Sequence, residues 1–303
     1  MVRSAPTNLG REEYLERWGR GLQCLAFLRQ AHFDREVRCN RCGSIDWKGV
    51  ADPGQLRCRK CRTHLSLKAG TAFENSRIDL SAWFELLWLM SVSRGGMTTK
   101  FAANYLGLPG ATIWAMRRRI FEHISALAAQ ERFCEKPKAI LCNVVVVNRL
   151  SRAVGVRAKK SHCVIICDGT ETFFVFTLSR SRTALQDIVF RYCDPFVEIV
   201  TVGDHSAEFM QGVRLNAFHQ FRYFERVSSD WNKVSLDALR LTYGFQYEIR
   251  NMHVSISMKY AQNYFDDYLV RMRNKDSPRN LFDCYLRLCT KRLTDHNSVP
   301  NLL

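Results

Sequence analysis

Two cysteine pairs constrain this chain more than any other feature. Cys39 and Cys42 stand in C-N-R-C, Cys58 and Cys61 in C-R-K-C, with fifteen residues between the pairs. This is the spacing of a zinc ribbon, in which two tight knuckles each supply two thiolates to one tetrahedral ion. A segment this short cannot build a hydrophobic core, so a structural metal takes the core's place. His64, three residues after Cys61, is a spare ligand that four thiolates make unnecessary. The residues around the ligands are basic: Arg41, Lys48, Arg57, Arg59, Lys60 and Arg62.

The rest of the composition extends that bias. The chain has 303 residues, a formal net charge of +16 and 47% hydrophobic residues, enough for two or three compact units. An excess of positive charge favours a polyanionic partner, nucleic acid before its rival, an acidic membrane surface. No stretch reaches the roughly 20 apolar residues of a membrane span. The nearest, Leu80 to Val92, is too short and contains Glu85, so no membrane role is expected. The N-terminal residues carry no apolar signal region. The protein is therefore expected not to be secreted, but to sit in the nucleus of a eukaryote (favoured) or in the cytoplasm or nucleoid of a bacterium. Twelve cysteines could form a disulfide scaffold, but the length and the metal spacing argue instead for free thiols in a reducing compartment.

Periodicity divides the chain into four parts. An N-terminal helix is expected within 1–32, with Tyr14, Trp18, Leu22, Leu25 and Leu28 near one face. The ribbon follows over 33–70. A helical DNA-binding domain occupies 71–132, where Asp79 is suited to cap the helix LSAWFELLWLMSVS. Beyond Gly95-Gly96, Ala103, Gly107 and Ile113 have the separations of a helix-turn-helix: a small residue at the crossing, glycine in the turn, an aliphatic anchor in the second helix. Pro109 suits the start of that second helix. Lys100, Thr112, Trp114, Arg117, Arg118 and Arg119 are the candidate DNA contacts, and no acid occurs from Leu86 to Phe121.

From 133 to 303 the pattern becomes mixed. Apolar strands are expected at Ile140–Val147, Ser161–Cys167, Thr172–Leu178, Phe196–Val202 and Phe221–Val227, with helices at Ser181–Tyr192, after Gly203 and towards the end. Three hairpin-connected strands, a helix, a strand and a helix follow the ribonuclease H-like order. The expected fold class is thus multidomain α/β: zinc ribbon plus helix-turn-helix, then a ribonuclease H-like mixed sheet with flanking helices. Enzymes of that order hold two Mg²⁺ or Mn²⁺ ions on three carboxylates. Asp204 suits the second place and Asp237 the third. The first strand centres on Asn143, and no acid lies between Glu135 and Asp168. Asparagine offers a neutral oxygen, so divalent-ion binding there should be weak. Lys159 and Lys160, in the same stretch, suit phosphate contact.

These residues carry a resemblance. The run C-N-R-C…L-R-C-R-K-C…S-L-K-A-G-T-A-F-E-N-S-R-I-D-L-S-A-W-F-E-L-L-W-L resembles the opening of Merlin-type DDE transposases. R-G-G-M-T-T-K-F-A-A-N-Y-L-G-L…T-I-W-A-M-R-R-R-I is similar to the family's helix-turn-helix. M-H-V-S-I-S-M-K-Y-A-Q-N-Y-F-D-D-Y-L-V-R-M-R-N and L-F-D-C-Y-L-R-L are similar to its closing helices. The resemblance covers roughly 20 to 290. It implies a DNA transposase fold that binds terminal inverted repeats as a homo-oligomer and cleaves and joins DNA. The family's three acids fall on Asn143, Asp204 and Asp237, so the first is replaced and the third shortened. The resemblance therefore implies a degenerate or domesticated member: a DNA-binding protein with a structural zinc, and with Mg²⁺ or Mn²⁺ only if the site is active. An active transposase and a non-enzymatic chromatin or transcription protein are the alternatives.

Overall fold

The computed structural model describes residues 10–93, 97–128, 138–148, 159–167, 172–177, 198–202, 221–224, 244–245, 247–248 and 260–293. The chain is a mixture of helices and small sheets in two compact units. One comprises Met1–Leu127 with Val270–Pro300, the other Ala128–Leu269 with Asn301–Leu303.

The first unit opens with α1 (Arg11–Trp18) and α2 (Gly21–Asp34). The single N-terminal helix expected from periodicity is broken at Gly19 and Arg20. The break resets the helical phase: Tyr14 and Trp18 are buried, but in α2 the buried stripe is Cys24, Leu28 and His32. Leu22, expected on the apolar face, is exposed. A three-stranded antiparallel sheet follows, made of β1 (Trp47–Gly49), β2 (Gln55–Cys58) and β3 (His64–Ser66). Trp47 fixes it to the end of α2. Its indole N–H donates to the Val37 carbonyl at 2.7 Å, and the His32 ring meets it edge-on at 5.5 Å.

Helix α3 (Leu80–Val92) is the centre of this unit. Its Asp79 cap accepts from the Ser81 N–H at 2.8 Å, as its position in the sequence suggests. Leu80, Trp83, Phe84, Leu86, Leu87, Trp88, Leu89 and Met90 are all buried, so the helix is apolar on every side. Such a helix needs neighbours all round, and it has them in α1, α2, α4 (Thr99–Leu106) and α7 (Pro278–Thr290), the last helix among the described residues. Among the described residues no helix is long and apolar enough to cross a membrane.

Helix α7 corrects the expected division of the chain. Sequence patterning assigns 133–303 to one domain, but Val270–Pro300 belongs with the N-terminal residues. The cause is the stripe Leu281, Phe282, Tyr285, Leu286 and Cys289, buried along one face of α7. Phe282 lies edge-on to Tyr14 at 5.9 Å and to Trp18 at 6.3 Å. Backbone bonds extend the join: Ala72 N–H to the Cys289 carbonyl and Leu293 N–H to the Gly70 carbonyl, each 3.0 Å. Arg35 donates to the Thr290 carbonyl at 2.6 Å, and His123 Nε2 donates to the Lys291 carbonyl at 2.8 Å.

The second unit holds a five-stranded sheet of β4 (Lys138–Asn148), β5 (Lys159–Cys167), β6 (Thr172–Thr177), β7 (Glu198–Val202) and β8 (Phe221–Phe224). Their order is β6-β5-β4-β7-β8. The β4–β5 and β5–β6 pairs are antiparallel, while β4–β7 and β7–β8 are parallel. Parallel pairing requires a crossover between β6 and β7 rather than a hairpin. Near the end of this unit, in α6 (Ala261–Arg273), Phe265 meets Phe245 edge-on at 4.8 Å. The helix expected over Ser181–Tyr192 lies outside the described residues.

Candidate metal centre and nucleic-acid interface

The two cysteine pairs fold as matching knuckles. In the first, the Cys39 N–H donates to the Ser44 carbonyl and the Gly43 N–H returns to the Cys39 carbonyl, both at 2.8 Å. In the second, the Cys58 N–H donates to the Thr63 carbonyl at 2.9 Å and the Arg62 N–H to the Cys58 carbonyl at 3.0 Å. Each knuckle turns through the left-handed region at its fifth residue, Gly43 at φ 71° and Arg62 at φ 62°.

This folding brings all four sulfurs within 4.8 Å of one another. Cys39 and Cys61 Sγ are 3.5 Å apart, and Cys42 and Cys58 Sγ 3.6 Å. Four sulfurs about 2.3 Å from a central ion would lie roughly 3.8 Å apart at the corners of a tetrahedron. The cluster therefore fits a single tetrahedral metal ion such as zinc. His64 is not in the cluster; it pairs with Arg57 across β2 and β3 and is exposed.

The protonation balance makes the same point. The Thr63 hydroxyl lies 3.2 Å from Cys61 Sγ. Hydrogen bonding by that side chain, and then by the Thr63 backbone, holds the Cys61 thiol down to about 6. At Cys42 the Ser44 N–H favours the thiolate, but burial and the three neighbouring sulfurs outweigh it and push the thiol up to about 12. Four thiolates at this separation need a cation among them. Thr63 and Ser44 are contributors that ligand spacing alone does not single out; the signal for them is the six-residue knuckle, C-x-x-C-x-[ST], repeated around each pair.

Outside the cluster, the described cysteines Cys24 and Cys289 are buried and Cys284 is half-buried. Burial, with the nearby Asp79 charge, pushes Cys24 up to about 12, which leaves it inert.

The helix-turn-helix candidate folds as two helices joined by a three-residue turn. Thr98 caps α4 by accepting from the Phe101 N–H at 3.2 Å. Gly107 ends α4 at φ 65°, a conformation that glycine adopts without strain. The second helix, α5 (Gly110–Ala128), starts directly after Pro109, whose carbonyl accepts from the Ile113 N–H at 3.1 Å. Ile113 is fully buried, as its anchoring place requires. The fully buried alanine is Ala102, and Ala103 is only half-buried.

The three arginines of α5 differ in role. Arg117 donates to the Met97 carbonyl at 2.8 Å and lies 5.5 Å above the Phe121 ring. Arg119 donates to the Glu74 carbonyl and lies 5.9 Å above Trp83. Both tie α5 to its neighbours, and a carbonyl partner leaves their positive charge in place. Arg118 is half-exposed, bridges to Glu122 at 2.7 Å and lies 5.6 Å from the Trp114 ring. Lys100 and Trp114 are exposed, and Thr112 is half-buried.

Comparison with known protein families and with curated proteins gives no match.

The remaining candidates lie in the second unit. Asn143 is an interior position of β4, opposite Val164 of β5. Lys159 and Lys160 open β5, opposite Asn148 and Val147. Asp204 and Asp237 lie outside the described residues.

Proposed function

We propose that this chain is a sequence-specific double-stranded DNA-binding protein of transposase descent, in which cleavage and strand transfer are lost or impaired. The observation that carries the reading is the pairing, within one compact unit, of a four-cysteine ribbon and a capped helix–turn–helix. The net charge of +16 and the acid-free run from Leu86 to Phe121 supply the electrostatics. The ion is structural zinc, which replaces the missing core of the ribbon. The partner is a terminal inverted repeat or a site derived from one, bound in a compartment that holds DNA, by a homo-oligomer.

The sheet supports a ribonuclease H-like second domain. Its order has three antiparallel strands, then two strands parallel to the first. The first acidic position is Asn143, inside β4, which offers no charge to a divalent ion. A working transposase is the second reading, favoured by the parallel pairing of β4 with β7. Leu141 stands opposite Thr201, and Asn143 and Asp204 follow them closely in the chain.

Two measurements test the proposal. Duplex binding should weaken steeply as salt rises, because each phosphate contact releases a condensed counterion; a flat salt dependence counts against it. In a plasmid assay with Mg²⁺ or Mn²⁺, the chain should give no excision or joining. Metal-dependent products that vanish in Asp204→Ala establish the second reading instead. If Asn143 is the main lesion, Asn143→Asp restores some nicking.

A further inference from the structure

The exposed face of α5 is unusual for a helix facing water. Its buried face is Ile113, Met116, Ile120, Ile124 and Leu127. On the other side, Gly110, Ala111, Trp114 and Ala115 are all exposed, with Trp114 at 44%. An exposed helix face normally carries charged or polar side chains. Here the first charged residue is Arg117, and the first carboxylate of α5 is Glu122. Three small residues around one large aromatic leave the helix backbone free to approach a surface closely, with a single apolar projection.

That surface is anionic. Arg118 lies 5.6 Å from the Trp114 ring, Lys100 is exposed on the preceding helix α4, and Arg117 and Arg119 donate to backbone carbonyls rather than to carboxylates. An acidic duplex groove satisfies both halves of the description. The second helix of a helix-turn-helix presents its N-terminal residues to the major groove. The apolar group displayed there is the C5-methyl of thymine.

From this we infer that Trp114 reads thymine through its 5-methyl group. The inference rests on the DNA-binding reading above and adds which base is recognised and by which side chain. Arg117 and Arg119 serve as scaffold and field, while Arg118, beside the Trp114 ring, holds the indole in place and reaches towards phosphate.

The test uses the full chain and a duplex selected by it from a randomised pool. Uracil is then substituted for thymine at each site position, which removes only the methyl group. At one or two positions the wild-type protein should lose roughly fourfold in affinity per methyl, the scale of one apolar carbon withdrawn from contact. Trp114→Ala should bind the thymine duplex more weakly and show no thymine-to-uracil difference. Its far-UV spectrum should keep the wild-type helix signal, because Trp114 is on the exposed face of α5. Equal wild-type affinity for thymine and uracil duplexes at every position overturns the inference while leaving DNA binding intact. So does a Trp114→Ala protein that still discriminates. Absence of binding to any duplex sinks the broader DNA-binding proposal as well. The uracil series on wild-type protein needs no variant, so misfolding cannot mask the result.

Discussion

Arg62 occupies in the second knuckle the place that Gly43 occupies in the first, and both have positive φ. A non-glycine residue there costs about 1–2 kcal/mol in backbone strain. Part of that returns in glycine's greater unfolded-state freedom, about 0.5–1 kcal/mol. Arg62→Gly should therefore leave the metal-loaded protein unchanged or more stable by up to roughly 1.5 kcal/mol. A side chain at Gly43 would meet no atom within 4 Å, so Gly43→Ala should lose the backbone strain of about 1–2 kcal/mol, less about 0.5–1 kcal/mol recovered from a stiffer unfolded chain. Thermal melting in excess zinc distinguishes the two. The arginines of α5 separate in the same way. Removing Arg119 strips a donor from the Glu74 carbonyl and a cation from Trp83, and should lower stability by about 1–3 kcal/mol. Arg118→Ala loses the half-exposed pair with Glu122, worth about 0.3–0.5 kcal/mol, together with the contact to the Trp114 ring, and on the proposed DNA-binding reading its main effect should be on DNA affinity. His32 adds a pH dependence. It is buried with neither ring nitrogen hydrogen-bonded. Burial, with the Arg292 charge nearby, lowers it from 6.5 to about 4. The unfolded chain binds this proton more readily than the folded one, so stability is full above pH 6.5 and declines as pH falls towards 4. His32→Phe should flatten that part of the acid limb in a stability-versus-pH series; an unchanged limb would assign it to the thiolates alone.

At the scale of elements, α3 and α7 depend on each other. Helix α3 is apolar all round, and one of its sides is covered by a helix nearly two hundred residues later in the chain. A fragment ending near residue 130 would expose that side together with Tyr14 and Trp18. It should aggregate or show little protection from hydrogen exchange, although it contains all four clustered cysteines and both helices of the candidate helix-turn-helix. A peptide covering α7 should restore solubility if added during refolding. A well-folded fragment that binds DNA without α7 would show that the closing helix is dispensable. Local signals predict the elements well here: the Asp79 cap, the Gly107 stop and the five strand cores stand where patterning puts them. They fail where chain phase is reset, as at Gly19, because a broken helix no longer propagates its periodicity and Leu22 turns outward.

For the molecule as a whole, the two units should respond differently to metal removal. Chelation, or Cys58→Ser, removes the ion that stands in for a core, and should unfold the ribbon. The five-stranded sheet, in the other unit, should keep its strand signal in far-UV spectra. Loss of both signals together would mean that the zinc module supports the entire chain. The ligand set was legible because metal geometry demands particular residue types at short, fixed spacings. The two helices joined at Gly107 were legible because capping and turn chemistry are local. Strand positions followed from apolar runs bounded by turn residues. Tertiary structure decided the remainder: which unit α7 joins, which arginines are tethers, and which face of α5 carries Trp114 outward. Those outcomes depend on packing between residues far apart in sequence, where the free energy comes from surfaces that meet only once the chain has folded.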